Sequence, residues 1–234
     1  MKRKTGKTIF TFLLLGVCLM LFSVPGHAES DVSDLYVASL SEADAWIEIP
    51  ALRQYGDYTC GAACVQMLMN WLYPYDADLN LTQYEALLGT TPESGTSPSA
   101  VIHYLEENAV EFAASQSLSL AVLRQMLDAG HPVMLPLQAW SSAEDGSYNL
   151  DDPSQSETYL AEGHWVICVG YCQNGDKPYF LFNDPACVGH TIIDADEFDR
   201  RWLDMDGAGT IYDHFGIEIL QATGYDGDGL FYMD

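Results

Sequence analysis

Three residues are of types that can take part in nucleophilic catalysis, and they lie at the ends of predicted secondary-structure elements. These residues are Cys60, His164 and Asp184. Cys60 lies where a turn-rich segment gives way to the apolar periodicity of a helix. A helix start offers unpaired N–H groups and the positive end of a dipole, and both favour thiolate over thiol. Gly61 leaves the backbone beside the sulfur open, and Gln54 supplies an amide that can donate to an oxyanion. The segment predicts a nucleophilic cysteine with an oxyanion donor.

His164 and Asp184 lie at the two open ends of a predicted hairpin. His164 opens an apolar run that is typical of a central buried strand, and the returning strand ends just before Asp184. A three-residue loop pairs His164 with Asp184, whereas a two-residue loop shifts the pairing by one, so the register decides between Asn183 and Asp184. We favour Asp184, because a carboxylate holds the imidazole tautomer and stabilises the imidazolium of a thiolate–imidazolium pair.

The elements that must position these residues divide into early helices and late strands. Besides the helix that begins at Cys60, apolar periodicity predicts helices over residues 81–88, 98–108 and 118–129. Apolar and β-branched runs predict strands over residues 132–139, 165–171, 179–183 and 212–221. This order favours an α+β fold. The first helix carries Cys60, Cys64, Met67, Leu68 and Trp71 on one stripe, so the thiol faces the rest of the domain.

The N-terminus carries the pattern of a secretory signal peptide. Four basic residues precede an apolar stretch over residues 9–22, and small residues follow up to Ala28. We expect residues 1–28 to be cleaved after Ala28 and the chain to be secreted or extracytoplasmic, with an uncleaved anchor as the alternative. The remaining chain is divided into an extended lead over residues 29–50, a catalytic domain over 51–222 and an acidic tail over 223–234.

The charge of the chain limits its partners. The sequence has a formal net charge of −25, and removal of the signal leaves five bases against 34 acids, a net charge of −29. Such a surface repels nucleic acid and anionic lipid, so neither is an expected partner. It admits a neutral or cationic substrate more readily than an anionic one.

The cysteines favour a free thiol. Five remain after signal removal, and an odd number in an exported protein leaves at least one without an intramolecular partner. Cys60 and Cys64 are one helical turn apart, and Cys168 and Cys172 lie too far apart along a strand, so neither pair suits a disulfide. Zinc binding by Cys60, Cys64, Cys168 and Cys187 is an alternative that the missing Cys-x-x-Cys motif disfavours. We expect no cofactor and no metal ion.

Two acidic features have open interpretations. The polar segment between Trp140 and Gly163 is longer than a plain connection, and it is either a functional rim or a solvated insertion. Residues 204–207 and 226–229 repeat an Asp-x-Asp-Gly pattern that raises calcium binding as an alternative. Both lack the remaining ligands of an EF-hand loop, which favours acidic turns.

Four sequence blocks together resemble the bacteriocin-processing, or double-glycine, peptidase-like family of papain-like cysteine peptidases. The blocks are Gln54 to Gly61 with its helix, residues 118–133 ending in Gly-x-Pro-Val, Gly163-His164 with the strand to Tyr171, and Asn183 to Ala186. A weaker fifth is Asp196-Glu197-Phe198 with Trp202. The resemblance covers about residues 54–202. It implies a papain-like fold in which N-terminal helices carry the nucleophile and pack on a C-terminal antiparallel sheet.

The resemblance also implies a role for each site residue. Cys60 is the nucleophile, His164 the general base and acid, Asp184 the residue that orients the histidine, and Gln54 the oxyanion donor. The implied activity is hydrolysis of peptide bonds in a peptide or protein substrate by a cysteine peptidase. The signal-peptide pattern adds the expectation that the enzyme is exported, with no stable membrane partner after signal removal. Two alternatives are an acyltransferase of the same superfamily and a catalytically silent exported binding module. The complete set of four residues argues against the second.

Overall fold

Helices precede most of the strands, as the sequence predicts. A computed structural model of the protein describes residues 43–74, 78–139, 163–187 and 189–222, all of which belong to the compact unit Val37–Asp234. The helices of these residues are α1 (Cys60–Leu72), α2 (Leu81–Leu87), α3 (Pro98–Glu107), α4 (Leu120–Asp128) and α5 (Ala195–Arg201). The strands are β1 (Ala45–Trp46), β2 (Phe112–Ser115), β3 (Val133–Gln138), β4 (Gly163–Asn174), β5 (Lys177–Asn183), β6 (His190–Asp194), β7 (Leu203–Met205), β8 (Ile211–Asp213) and β9 (Gly216–Ile219).

An antiparallel sheet of seven strands forms the centre of the domain. Its order is β2-β9-β3-β4-β5-β6, and β1 pairs with β4 beyond the end of β3. β7 and β8 form a separate two-stranded sheet. β4 is buried from His164 to Gly170, so it is the central strand that its apolar run predicts. Helices that pack on a mainly antiparallel sheet confirm the predicted α+β class.

The two faces of β4 contact different helices, because successive side chains of a strand point to opposite faces. Trp165 lies on the α1 face, where the carbonyl of Trp165 accepts a hydrogen bond from the Cys64 thiol at 3.3 Å. Val166 and Cys168 lie on the other face, in a core formed with side chains of α4 and α5 such as Leu123 and Phe198. β4, which carries His164, is therefore fixed from both sides.

Several predicted elements differ from the structure in detail. α4 begins at Leu120 rather than residue 118, because the Ser119 side chain caps it by accepting from the Val122 N–H. The predicted strand over residues 212–221 is divided into β8 and β9 by His214, whose φ is +48°. The buried surface of α1 is wider than the predicted stripe, since every residue of the helix except Asn70 is buried.

The hairpin of β4 and β5 has a different register from the one that a three-residue loop predicts. Its turn has two residues, with Asn174 opposite Lys177, and a bulge between Cys168 and Gly170 shifts the pairing once more. As a result Ile167 lies opposite Asn183, so Asp184 follows the end of β5 instead of pairing with His164 in the ladder. The prediction of direct cross-strand pairing is wrong.

Some sequence predictions fall on residues that the structure does not describe. These are the signal peptide over residues 1–28, residues 29–42 of the lead over 29–50, the long polar segment over 140–162 and the tail with its acidic turn at 226–229. Within the described ranges, no helix has the length and apolar character needed to cross a membrane.

Candidate active site

Cys60 is the first residue of α1, as the change from turns to helical periodicity predicts. Its relative exposure is only 5%. The residue before it, Thr59, does not cap the helix with its side chain; its hydroxyl donates instead to the Tyr55 carbonyl at 2.5 Å. The first N–H groups of α1 therefore keep their donor character and the positive end of the helix dipole beside the sulfur.

Close packing fixes the neighbours of the thiol. A side chain at Gly61 would place its Cβ 2.5 Å from Cβ of Thr96 and 3.0 Å from Cδ1 of Trp165. The indole Nε1 of Trp165 in turn donates to the Thr96 carbonyl at 2.8 Å. Gly61 is therefore required for the close approach of α1 to the strand that carries His164, rather than only for substrate access.

His164 lies between the thiol and a carboxylate. Its Nε2 is 2.7 Å from Oδ1 of Asp184, and its side chain also hydrogen-bonds the Cys60 side chain. Because Asp184 occupies Nε2, the nitrogen that faces Cys60 is Nδ1. The histidine is 4% exposed and the Asp184 side chain 13%. The structure thus brings together three of the four predicted site residues in the order Cys60, His164, Asp184.

Asp184 reaches His164 from the turn after β5. Its Oδ1 also accepts from the Ala186 N–H at 2.9 Å, which fixes the carboxylate beside the strand end. Asn183, the alternative partner of the imidazole, points elsewhere and donates from Nδ2 to the Ile49 carbonyl at 2.8 Å. The choice of Asp184 agrees with the geometry even though the predicted register does not.

The electrostatics favour a charged histidine. Burial alone would lower the pKa of His164, but its hydrogen bonds to Asp184 and Cys60 raise that pKa to about 9. Burial alone would raise the pKa of Asp184, but the hydrogen bonds from His164 and Ala186 hold that pKa below its ordinary value. At neutral pH the pair is therefore an imidazolium and a carboxylate, which suits an adjacent thiolate.

A backbone hydrogen bond connects Gln54 to the turn that carries Asp184. Its N–H donates to the Pro185 carbonyl at 2.8 Å, which places it next to Asp184. Its side-chain Nε2 donates to the Gly56 carbonyl at 2.9 Å, while Oε1 is buried without a hydrogen-bond partner in the described part of the chain. An amide nitrogen has two hydrogens, so one N–H of Gln54 remains for an oxyanion.

The loop between Gln54 and Cys60 is attached to α2 by Glu85. The two carboxylate oxygens of Glu85 accept from different phenols, Oε2 from Tyr55 and Oε1 from Tyr58, the latter at 2.9 Å. These bonds hold both ends of the loop that carries the predicted oxyanion donor. Nothing in the local sequence pattern around Glu85 predicts its contact with the loop.

Asp204 is a second carboxylate near the centre, and its sequence context favoured an acidic turn, with calcium binding as the alternative. It lines a cavity of about 350 Å³ together with Cys60, Gly163 and Trp165. Its Oδ1 accepts from Nε2 of Gln138 at 3.1 Å. Burial, and secondarily the nearby charge of Asp206, raise the pKa of Asp204 to about 7, although hydrogen bonds and His164 oppose the shift.

Asp206, the other acid of that motif, closes a turn. Its Oδ1 accepts from the N–H groups of Ala208 and Thr210, both at 2.9 Å, and its Oδ2 accepts from the Tyr212 hydroxyl at 3.1 Å. These contacts agree with the acidic-turn interpretation of residues 204–207. Among the described residues, no group of three or more His, Cys, Asp or Glu side chains is arranged to hold a metal ion.

The remaining cysteines differ chemically from Cys60. All five cysteines within the described ranges carry free thiols, so the two close pairs form no disulfide, as predicted. Burial raises the pKa of the thiols of Cys64, Cys168, Cys172 and Cys187. Of the five, Cys60 is the thiol that contacts a histidine held by a carboxylate.

The chain is similar to several solved peptidase structures. A protein described as a C39-like peptidase from Bacillus anthracis has a TM-score of 0.53 at 12% identity, over 77% of this chain and 99% of that one. A double glycine motif protease from an AMS/PCAT transporter, solved with the leader peptide, has a TM-score of 0.47 at 17% identity, over 74% and 92%. The peptidase domain of Streptococcus ComA, a bi-functional ABC transporter of a quorum sensing pathway, has a TM-score of 0.46 at 14% identity, over 73% and 98%.

At these identities the likeness to the Bacillus anthracis structure shows the fold alone. No curated protein matches the chain. The model of the Peptidase_C39 like family matches residues 46–210, which is most of the chain and includes all four predicted site residues. The chain therefore belongs to the Peptidase_C39 like family of papain-like cysteine peptidases, as its sequence blocks predict.

Proposed function

We propose that this chain is an exported cysteine peptidase that hydrolyses peptide bonds with a catalytic triad of Cys60, His164 and Asp184. The observation that carries the proposal is the position of His164, which hydrogen-bonds the Cys60 side chain and lies 2.7 Å from Asp184 through Nε2. A nucleophile, a base within hydrogen-bond reach and a third group that orients the base are the parts that covalent acyl transfer requires.

In the first step the Cys60 thiolate attacks the carbonyl carbon of the scissile amide. The new C–S bond forms a tetrahedral intermediate whose oxygen carries the negative charge. His164 then gives its Nδ1 proton to the leaving amine, the C–N bond breaks, and a thioester remains on Cys60. Asp184 supports the charged imidazolium through Nε2 before this transfer, since its own pKa is held low.

In the second step neutral His164 takes a proton from water, and the hydroxide attacks the thioester carbonyl. The C–S bond breaks, the product acid leaves, and the thiolate–imidazolium pair is restored. In both steps the oxyanion is stabilised by the backbone N–H of Cys60 and the second N–H of the Gln54 amide. A Gln54→Ala variant should lose about a hundredfold to a thousandfold in kcat, the effect of removing one oxyanion donor.

The substrate class follows from the family and the charge. A member of a peptidase family acts on peptide bonds, and an acidic surface with an acidic cavity beside Cys60 favours a neutral or cationic peptide. The signal-peptide pattern of residues 1–28 supports a location outside the cytoplasm.

A peptide-library digest analysed by mass spectrometry tests this function. The protein without residues 1–28 should produce new peptide termini, and a Cys60→Ala variant should produce none of them. Cys172→Ala is the matched control, because this buried thiol lies on β4 opposite Tyr179, toward the hairpin turn and away from Asp184. Equal products from the protein and its Cys60→Ala variant would refute the peptidase function. Products that carry an added amine instead of water would identify an acyltransferase.

A further inference from the structure

The cavity beside Cys60 has a wall that suits a positively charged group. It is lined by four carboxylates, Asp57, Glu93, Asp204 and Asp206, and none of the described residues that line it is Lys, Arg or His. Its volume of about 350 Å³ lies within the range of about 300–1,000 Å³ found for ligand pockets. Because Cys60 lines this cavity, residues of a substrate held for attack by Cys60 can occupy it.

The four carboxylates are not equivalent. Asp57 and Glu93 are exposed at the rim, and Asp206 uses both oxygens to close its own turn. Asp204 lies deeper, because β7 places it against the first residue of β4. A Cβ on Gly163 would lie 2.5 Å from Oδ1 of Asp204, so the carboxylate is pressed on the backbone immediately before His164.

The side-chain partner of Asp204 is neutral. Gln138 donates to the carboxylate and also to the Leu203 carbonyl at 3.0 Å, which holds the group in place without neutralising it. Burial removes hydration from this carboxylate, and neither its hydrogen bonds nor the nearby charge of His164 offsets that loss, so the pKa of Asp204 is raised. A cation that enters the cavity would supply the missing charge.

From this geometry we infer that Asp204 is a specificity-determining residue, which binds a Lys or Arg side chain of a substrate residue flanking the scissile bond. The inference rests on the proposed peptidase function for its biological meaning, and it names the substrate class of the same site. A charge-assisted hydrogen bond of this kind corresponds to a preference of about tenfold to a hundredfold for the cationic residue.

Equilibrium binding to the Cys60→Ala variant tests the inference without requiring turnover. The probes are acetylated, alanine-based hexapeptide amides in which a single residue, moved through all positions, is Arg, citrulline, norleucine or Glu. At one position we expect the Arg peptide to bind about tenfold or more tightly than the citrulline and norleucine peptides. Citrulline has nearly the shape of Arg without its charge, so this comparison does not depend on any change in the protein.

The protein variants then assign the preference to Asp204. In the Cys60→Ala background, Asp204→Asn should abolish the preference for Arg over citrulline, and Asp176→Asn should retain it. Asp176 is the matched control, because it is an exposed aspartate in the turn at the far end of β4. Thermal melts show whether each variant is folded.

Each result decides one of the two proposals. Equal binding of the Arg and citrulline peptides at every position, or an Arg preference that survives Asp204→Asn, overturns the role of Asp204. A library that the native protein leaves uncleaved, combined with an Arg preference that needs Asp204, overturns the peptidase function and leaves the cationic subsite in place.

Discussion

Asp184 and Asp204 are carboxylates on two sides of His164, and they differ in what each one pairs with. Asp184 accepts from the imidazole at 2.7 Å beside an apolar cavity of about 300 Å³. Asp204 accepts from the neutral Gln138 amide and lines the acidic cavity of about 350 Å³ that contains Cys60. The first has a lowered pKa and the second a pKa raised to about 7.

The difference shows how one residue type serves two purposes within one site. Burial opposes ionisation of both carboxyl groups, but only Asp184 has a cationic partner that outweighs it. A carboxylate that is hydrogen-bonded to a cationic group can orient a catalytic base, whereas one whose side-chain partner is a neutral amide can recognise a charged substrate. Pairs of acids whose environments separate their pKa values commonly mark distinct roles in catalysis.

The largest expected effect is that of Asp184→Ala on turnover. Without the carboxylate, Nε2 of His164 has lost the partner that fixes the ring and its charge, so we expect kcat to fall about a hundredfold or more. Steady-state hydrolysis of a peptide found in the library digest measures this. Asp176→Ala controls for the loss of one surface charge. An Asp184→Ala variant with the native kcat would remove Asp184 from the mechanism.

The next effect is on the alkaline limit of activity. The pKa of His164 is raised to about 9, so the imidazolium is present below that pH and activity is lost as pH rises through about 9. Asp184→Asn removes the negative charge that raises this pKa, which should move the alkaline limit toward neutral pH by roughly one unit or more. Profiles of kcat/KM against pH measure both limits. An alkaline limit that Asp184→Asn leaves in place would show that Asp184 does not control the histidine.

A smaller expected effect is that of Asp204→Asn on the thermal stability of the protein, which distinguishes Asp204 from Asp184. The folded-state pKa of Asp204, about 7, lies above the ordinary value, so its stabilising contribution is complete below about pH 3.9 and is lost as pH rises through 7. Asp204→Asn should therefore raise Tm at pH 8 by about 2–4 °C, the shift that roughly 1 kcal/mol produces in a protein of this size. Thermal melts measure the gain in Tm at pH 8 and should show no such gain at pH 4. A variant that melts below the native protein at pH 8 would contradict a destabilising effect of the ionised Asp204 carboxylate.

The smallest expected effect is that of Gly163→Ala on substrate preference. The new Cβ would lie 2.5 Å from Oδ1 of Asp204, so the carboxylate must shift away from the strand. We expect the Arg preference in peptide binding to fall severalfold, less than in Asp204→Asn. Gly175→Ala is unsuitable as a control, because the φ of Gly175 is +59°. Gly207→Ala is the control, since it adds a methyl group on the rim of the same cavity. An unchanged preference in Gly163→Ala would show that the position of Asp204 tolerates this shift.

The main candidate site residues could be predicted from the sequence, because a local sequence pattern marks each of them. Cys60 follows turn residues and begins a helix. His164 and Asp184 lie at the ends of runs rich in apolar and β-branched residues. The hairpin register was predicted incorrectly, because turn length and a bulge at Cys168 depend on packing rather than on local pattern. Asp184 still reaches His164, since its side chain extends from the turn after β5 and not from the ladder.

Asp204 and Glu85 could not be found in this way. Asp204 meets Gly163 only because β7 packs beside β3 and β4, and Glu85 meets the loop before Cys60 only because α2 packs beside α1. Both contacts join elements that are distant in sequence. Short, half-buried strands such as β2 and β6 were missed for a related reason, since their residues carry too weak a pattern on their own.

The most direct test of the account is detection of an acyl-enzyme on Cys60. The protein is mixed with a peptide that it cleaves, quenched in acid, and analysed by intact mass and peptide mapping. We predict a mass increase equal to the acyl part of the substrate, located on the peptide that contains Cys60, removed by hydroxylamine and absent from Cys60→Ala. Cleavage that persists in Cys60→Ala, or an acyl group found on a different residue, would contradict Cys60 as the nucleophile.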